Sequence, residues 1–139
     1  MEEATMRRLV AEARVARVAT IDPRGRPHLV PFVFVLDGDT LYSSVDQKPK
    51  ADRELQRLRN IRAHPEVAVL VDHYEEDWPR LWWVRMRGTG RVIEVGPERD
   101  RALWLLAEKY QQYATMPPQG PAIAVDVGEW RGWSWRPLQ

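Results

Sequence analysis

Hydrophobic positions along this chain recur on two periods, and the changes between them predict its elements. Between Glu2 and Ala13, Met6, Leu9, Val10 and Ala13 fall on one helical stripe behind an acidic first turn, which predicts an opening helix. The period then drops to two. "ARVATID", Ala16 to Asp22, reads as a strand, "PRGRP" as a turn, and "HLVPFVFVLD", His28 to Asp37, as one continuous second strand rich in β-branched and aromatic residues. The "DGD" at Asp37 to Asp39 is a hairpin signal leading into a third strand, "TLYSSV".

Helical spacing returns with Leu55, Leu58 and Ile61, predicting a helix over 51–63 that stops before Pro65. "EVAVLVDHY" is the next strand. "LWWVRMRGTGRVIEV" is too β-rich for a helix and reads as a long curved strand, bent or closely approached at Gly88 and Gly90. Pro97 to Tyr113 suits a helix with proline in its first turn, and "AIAVDVGEWRGWSW" supplies a last strand. Strands joined by hairpins, with few helical crossovers, predict a mostly β single domain over 1–139 with peripheral helices: a six-stranded antiparallel barrel.

Composition narrows the function classes. Cysteine is absent, which removes thiolate nucleophiles, disulfides and cysteine-ligated metals together. A net charge of +1 is no nucleic-acid footprint, and no run approaches the roughly 18 apolar residues of a membrane span. A soluble cytoplasmic protein is expected. His28, His64 and His73 have no ligand spacing, so no metal site is predicted.

The candidate chemistry begins at Lys48 and Lys50, directly before the second helix. Helix N-termini already carry partial positive charge, so cations placed there invite an anion. With Pro49 keeping the segment extended, both ammonium groups point one way and Arg53 follows one turn later; with Ser43 or Ser44 hydroxyls they suit a phosphate monoester. The plainer alternative is a set of solvated charges balanced by Asp46, Asp52 and Glu54.

The order "VATIDPRGRPHLVPFVFVLDGDTLYSS", "KPK", "LQRLRNIRAHPEVAVLVD", "WWVRMRGTGRVIEV" resembles the flavin-binding split-barrel superfamily that includes pyridoxamine phosphate oxidase. The run Asn60 to Gly88, with its "DHYEEDW" and "LWWVR", is most similar to the branch described as deazaflavin (coenzyme F-420) dependent enzymes. "WWVR" stands where pyridoxamine phosphate oxidases carry "RQVR", and "WRGWSWRPL" does not reproduce their C-terminal arginine signature, which argues against pyridoxamine phosphate as substrate.

The resemblance implies an FMN-binding type of split barrel, a homodimer with the site between subunits, and an oxidoreductase passing hydride from reduced coenzyme F-420 to a small organic acceptor. It makes Lys48, Lys50 and Arg53 the cofactor-phosphate clamp, brings Ser43, Ser44 and Val45 toward the ribityl and ring region, and sets Pro31 and Phe32 on the adjacent strand. FMN in the same pocket is the alternative cofactor, since both carry a phosphate on a ribityl chain. The longer deazaflavin tail would need a basic groove, for which Arg57, Arg59 and Arg62 are candidates. A non-catalytic flavin, deazaflavin or haem binder is the alternative outside enzymes.

Trp82 and Trp83 are adjacent, so on a strand they face opposite sides: one belongs to the core, the other to a ring or a subunit interface. The resemblance, which sets this strand beside the cofactor and the subunit boundary, makes Trp83 and Arg85 candidate cofactor contacts. Arg91 is expected to be a solvent or dimer-surface charge, while Tyr42 and Tyr74 are candidate proton donors.

Overall fold

The computed structural model describes residues 1–45 and 55–138. Its elements run α1 (Glu3–Glu12), β1 (Ala16–Ile21), β2 (Pro27–Phe32), β3 (Val35–Asp37), β4 (Thr40–Ser44), α2 (Gln56–Ala63), β5 (Glu66–His73), a 3-10 turn (Trp78–Arg80), β6 (Trp82–Ile93), α3 (Pro97–Lys109), α4 (Gln111–Thr115) and β7 (Ala122–Ser134). All strand pairs are antiparallel in one sheet ordered β2-β1-β5-β6-β7-β4-β3.

Two expectations are corrected. The sheet has seven strands rather than six and is not closed, because "HLVPFVFVLD" is broken at Val33 and Phe34. β2 and β3 lie at opposite edges of the sheet yet are joined by these two residues, so the sheet curls until its edges approach without pairing. The predicted helix from Pro97 to Tyr113 is likewise interrupted at Tyr110, whose backbone is extended at φ −119° and ψ 119°.

One side chain accounts for both breaks. The Tyr110 hydroxyl accepts from Phe34 N–H at 3.1 Å and lies 2.9 Å from Phe34 C=O and 3.0 Å from Arg14 C=O, while Lys109 Nζ donates to Phe34 C=O at 2.8 Å. Phe34 thus spends its backbone groups on α3 rather than on a strand ladder. Its ring stacks on Phe32 with centroids 6.0 Å apart.

Elsewhere the sequence pattern holds. Gly38 adopts φ 62° in the turn between β3 and β4, where a side chain would be strained. The register of β6 against β7 shifts at Arg87 and Gly88, and a Cβ on Gly88 would lie 2.2 Å from the Asp126 carbonyl oxygen, so only glycine fits. The inner face of the sheet, with Val18, Val69, Val71, Val84, Met86 and Val125, encloses the main core, into which α1 inserts Met6 and Val10 and α2 inserts Leu58 and Ile61. Among the described residues, no helix is long and apolar enough to cross a membrane.

Candidate functional site

The outer face of the sheet divides into a covered and an uncovered half. α3 packs on β3, β4 and β7, burying Tyr42, Ala122 and Ala124 beneath Ala102. The central charges of this half pair with one another. Arg91, expected at the surface, is part-exposed and donates from Nε and Nη to both Asp126 carboxylate oxygens at 2.6 and 3.1 Å and forks onto Glu98 at 2.8 and 2.9 Å. The Arg91 guanidinium, and then the Tyr42 hydroxyl at 2.8 Å, hold Glu98 down to about 2, while Arg91 is itself pushed up by these two acids.

Tyr42 is thereby removed as a proton donor. It is buried, and burial followed by the Glu98 hydrogen bond pushes its phenol up to about 12, far from the range useful at neutral pH.

The uncovered half spans β2, β1, β5 and the first part of β6. Register puts Pro31 opposite Arg17, Arg17 opposite Leu70, and Leu70 opposite Arg85, so these side chains form a row across the outer surface. Arg17, Ala19, Leu29, Ala68, Leu70, Asp72, Tyr74, Trp83 and Arg85 line an open concavity of about 420 Å³. Trp82 and Trp83 divide as their adjacency requires: Trp82 packs against the core and Trp83 faces the concavity.

Charge pairing here is incomplete. Arg17 reaches Asp72 at 3.7 Å, and Arg87 and Arg131 share Glu129 at 3.8 and 3.7 Å. Arg85 lies between them in register and has no carboxylate partner among the described residues. Its Nε is buried without a hydrogen bond, and its guanidinium carbon sits 5.6 Å from the Trp83 ring centroid.

A second group of unsatisfied donors lies on either side of the undescribed segment. Lys48, Lys50 and Arg53 fall outside the described residues, but β4 leads into that segment and α2 leaves it. Ser43 is buried and spends its hydroxyl on Val33 C=O at 2.7 Å. Ser44 is equally buried, yet its Oγ has no partner among the described residues. Val45 N–H donates to Pro121 C=O at 3.3 Å.

In the first turn of α2, Arg57 has a buried Nε with no acceptor. Burial holds its guanidinium below the ordinary value, opposed by the Tyr113 phenol on α4, and no carboxylate pairs with it among the described residues. Of the three α2 arginines proposed for a groove, Arg59 is exposed and bonds the neutral Gln56 side chain, Arg62 pairs with Glu94, and Arg57 is the one whose Nε is buried without a partner among the described residues. The sequence signal for it was weak, since nothing in "QRLRNIR" distinguishes the buried arginine from the exposed ones.

The remaining predicted positions separate. Pro31 is exposed on the outer face, Phe32 is in the core, and Tyr74 is exposed at the rim of the concavity.

Comparison with known proteins then decides the family. The sequence profile of the family described as pyridoxamine 5'-phosphate oxidase matches residues 2–134. The chain belongs to that family. Among solved structures, a conserved hypothetical protein of Mycobacterium tuberculosis is similar at 22% identity and TM-score 0.79, over 98% of this chain and 86% of that one. A FAD-binding protein of Mesorhizobium loti matches at 19% identity and TM-score 0.66, over 95% and 94%. The haem storage protein of Vibrio cholerae matches at 14% and 0.72, over 95% and 93%. These likenesses establish the pyridoxamine 5'-phosphate oxidase fold and leave the ligand to the chain's own residues. No curated protein matches the sequence.

Proposed function

We propose that the protein is an oxidoreductase that binds a phosphate-bearing flavin-type cofactor, coenzyme F-420 in preference to FMN, at a face shared by two copies of the chain. The observation that carries this reading is Arg57: a half-buried arginine whose Nε is buried without a partner and which pairs with no acid among the described residues, in the first turn of the helix that follows Lys48, Lys50 and Arg53 in sequence. A cation removed from water costs several kcal/mol unless an anion meets it, and a cofactor phosphate or acidic tail supplies one.

The residues fit such a group. Ser44 Oγ and Arg57 Nε are buried donors without a partner among the described residues. In this reading Lys48, Lys50, Arg53 and Arg57 hold the anionic end, Ser43, Ser44 and Val45 border the ribityl chain, and Pro31, Trp83 and Arg85 lie toward the ring and the partner copy. When bound, the cofactor supplies the hydride; the chain supplies anchoring, orientation and exclusion of water. The uncovered sheet half, where Leu29 is 67% exposed beside Trp83, is the face on which a second copy would sit, with the concavity beside Trp83 and Arg85 kept open between the copies.

The preference for the deazaflavin rests on the resemblance of the Asn60 to Gly88 run and on "WWVR" at Trp82 to Arg85. Titration with F-420 and with FMN at one salt concentration, read by absorption, tests it: tighter F-420 binding is expected, and tighter FMN binding overturns the preference. Lys50→Ala is expected to weaken the bound cofactor by about 1.5–3 kcal/mol, the scale of a charge-assisted hydrogen bond. Binding without turnover across a broad acceptor panel would favour a carrier over an enzyme.

A further inference from the structure

The concavity on the uncovered half of the sheet has walls of one chemistry and a charge of another. Leu29, Ala19, Ala68, Leu70 and Trp83 make it apolar, and its volume of about 420 Å³ falls within the roughly 300–1,000 Å³ of small-molecule sites. Of its charged lining residues, Arg17 and Arg85 are cationic and Asp72 is anionic, and the Arg17 to Asp72 pair at 3.7 Å leaves Arg85 uncompensated. Arg85 lies against the face of Trp83 with a buried, unpartnered Nε.

We infer that this concavity is a subsite for a planar aromatic monoanion, the ring lying along Trp83 and the Leu29 and Leu70 side chains and the carboxylate or equivalent anion meeting the Arg85 guanidinium. Apolar walls favour a flat hydrophobic body, and a single uncompensated guanidinium beside them favours one negative charge rather than a phosphate's two. Asp72 works against further anionic charge at the same place. Tyr74, 62% exposed at the rim, is positioned to cover the outer edge of such a ring.

Naming this ligand as the hydride acceptor rests on the proposed oxidoreductase reading; the binding itself does not. The test uses 2-naphthoate and 2-naphthamide, which share a ring and differ in charge, titrated by calorimetry into the whole protein without cofactor. Naphthoate is expected to bind at least about tenfold more tightly than the amide, and Arg85→Gln is expected to abolish that difference while leaving amide affinity within about twofold. Equal affinities in the native protein, no saturable binding of either, or a preference that survives Arg85→Gln would overturn the inference. Because the native comparison stands alone, it holds even if the variant fails to fold. Arg85-dependent naphthoate binding alongside no affinity for F-420 or FMN would sink the cofactor reading and leave this subsite standing; the reverse pattern would do the opposite.

Discussion

Arg91 and Arg85 sit on the same strand and differ in company. Arg91, at the end roofed by α3, has two carboxylates and a tyrosine-bound network around it, and Arg85, at the bare end, has an aromatic ring and no acid among the described residues. The first cation is explained by the fold; the second is not. Arg57 belongs with Arg85 in this respect. The difference teaches that a charged residue's role here is read from whether the chain partners it, since both arginines look alike in the alternation of the strand.

The hinge between the two halves gives the largest expected effect. Gly88→Ala drives a Cβ to within 2.2 Å of the Asp126 carbonyl, so backbone must shift in β6 and β7 together. A loss of about 3 kcal/mol, measured by denaturant unfolding, is expected; a neutral result would show that the close approach does not organise the halves.

Next come the arginines themselves. Arg91→Ala should destabilise by about 1 kcal/mol, a figure kept small because the pairs are part-exposed and screened, and should leave cofactor affinity unchanged. Arg85→Ala should fall within about 0.5 kcal/mol of native stability while changing ligand binding. If the two stabilities respond alike, the distinction between a partnered and an unpartnered arginine fails.

The smallest effect is in acid. Glu98 is held near 2, below its ordinary 4.5, so its contribution is complete above pH 4.5 and is lost as pH falls toward about 2. The native protein should therefore lose stability across that window, relative to neutral pH, more steeply than Glu98→Gln does. Parallel curves would mean that the covered half is not held by this network.

The same contrast explains what was legible in the sequence. Period-two runs placed β1, β4, β5, β6 and β7, and Gly88 announced its close contact, because these features depend on local alternation and local sterics. The breaks at Val33–Phe34 and at Tyr110 were not legible: every residue in "HLVPFVFVLD" suits a strand, and the break is imposed by Tyr110 and Lys109, some 75 residues away in sequence. The acid partners of Arg91 were hidden for the same reason, as Asp126 lies 35 residues on. Alternation put Trp82 and Trp83 on opposite faces and Arg85 on the polar one, without deciding which tryptophan faces out. Arg57 was named only as part of a basic groove, because nothing in "QRLRNIR" distinguishes the arginine whose Nε is buried from its exposed neighbours.

The central claim is that unpartnered cations in this fold await an anion brought by a ligand. Its most direct test is the affinity of coenzyme F-420, and of FMN, for the native protein and for Arg57→Gln at one ionic strength, with thermal stability followed in parallel. A loss of at least about tenfold in affinity with stability unchanged or raised is the predicted result. Unchanged affinity for whichever cofactor binds, or a variant that loses stability as a structural ion pair would, contradicts it.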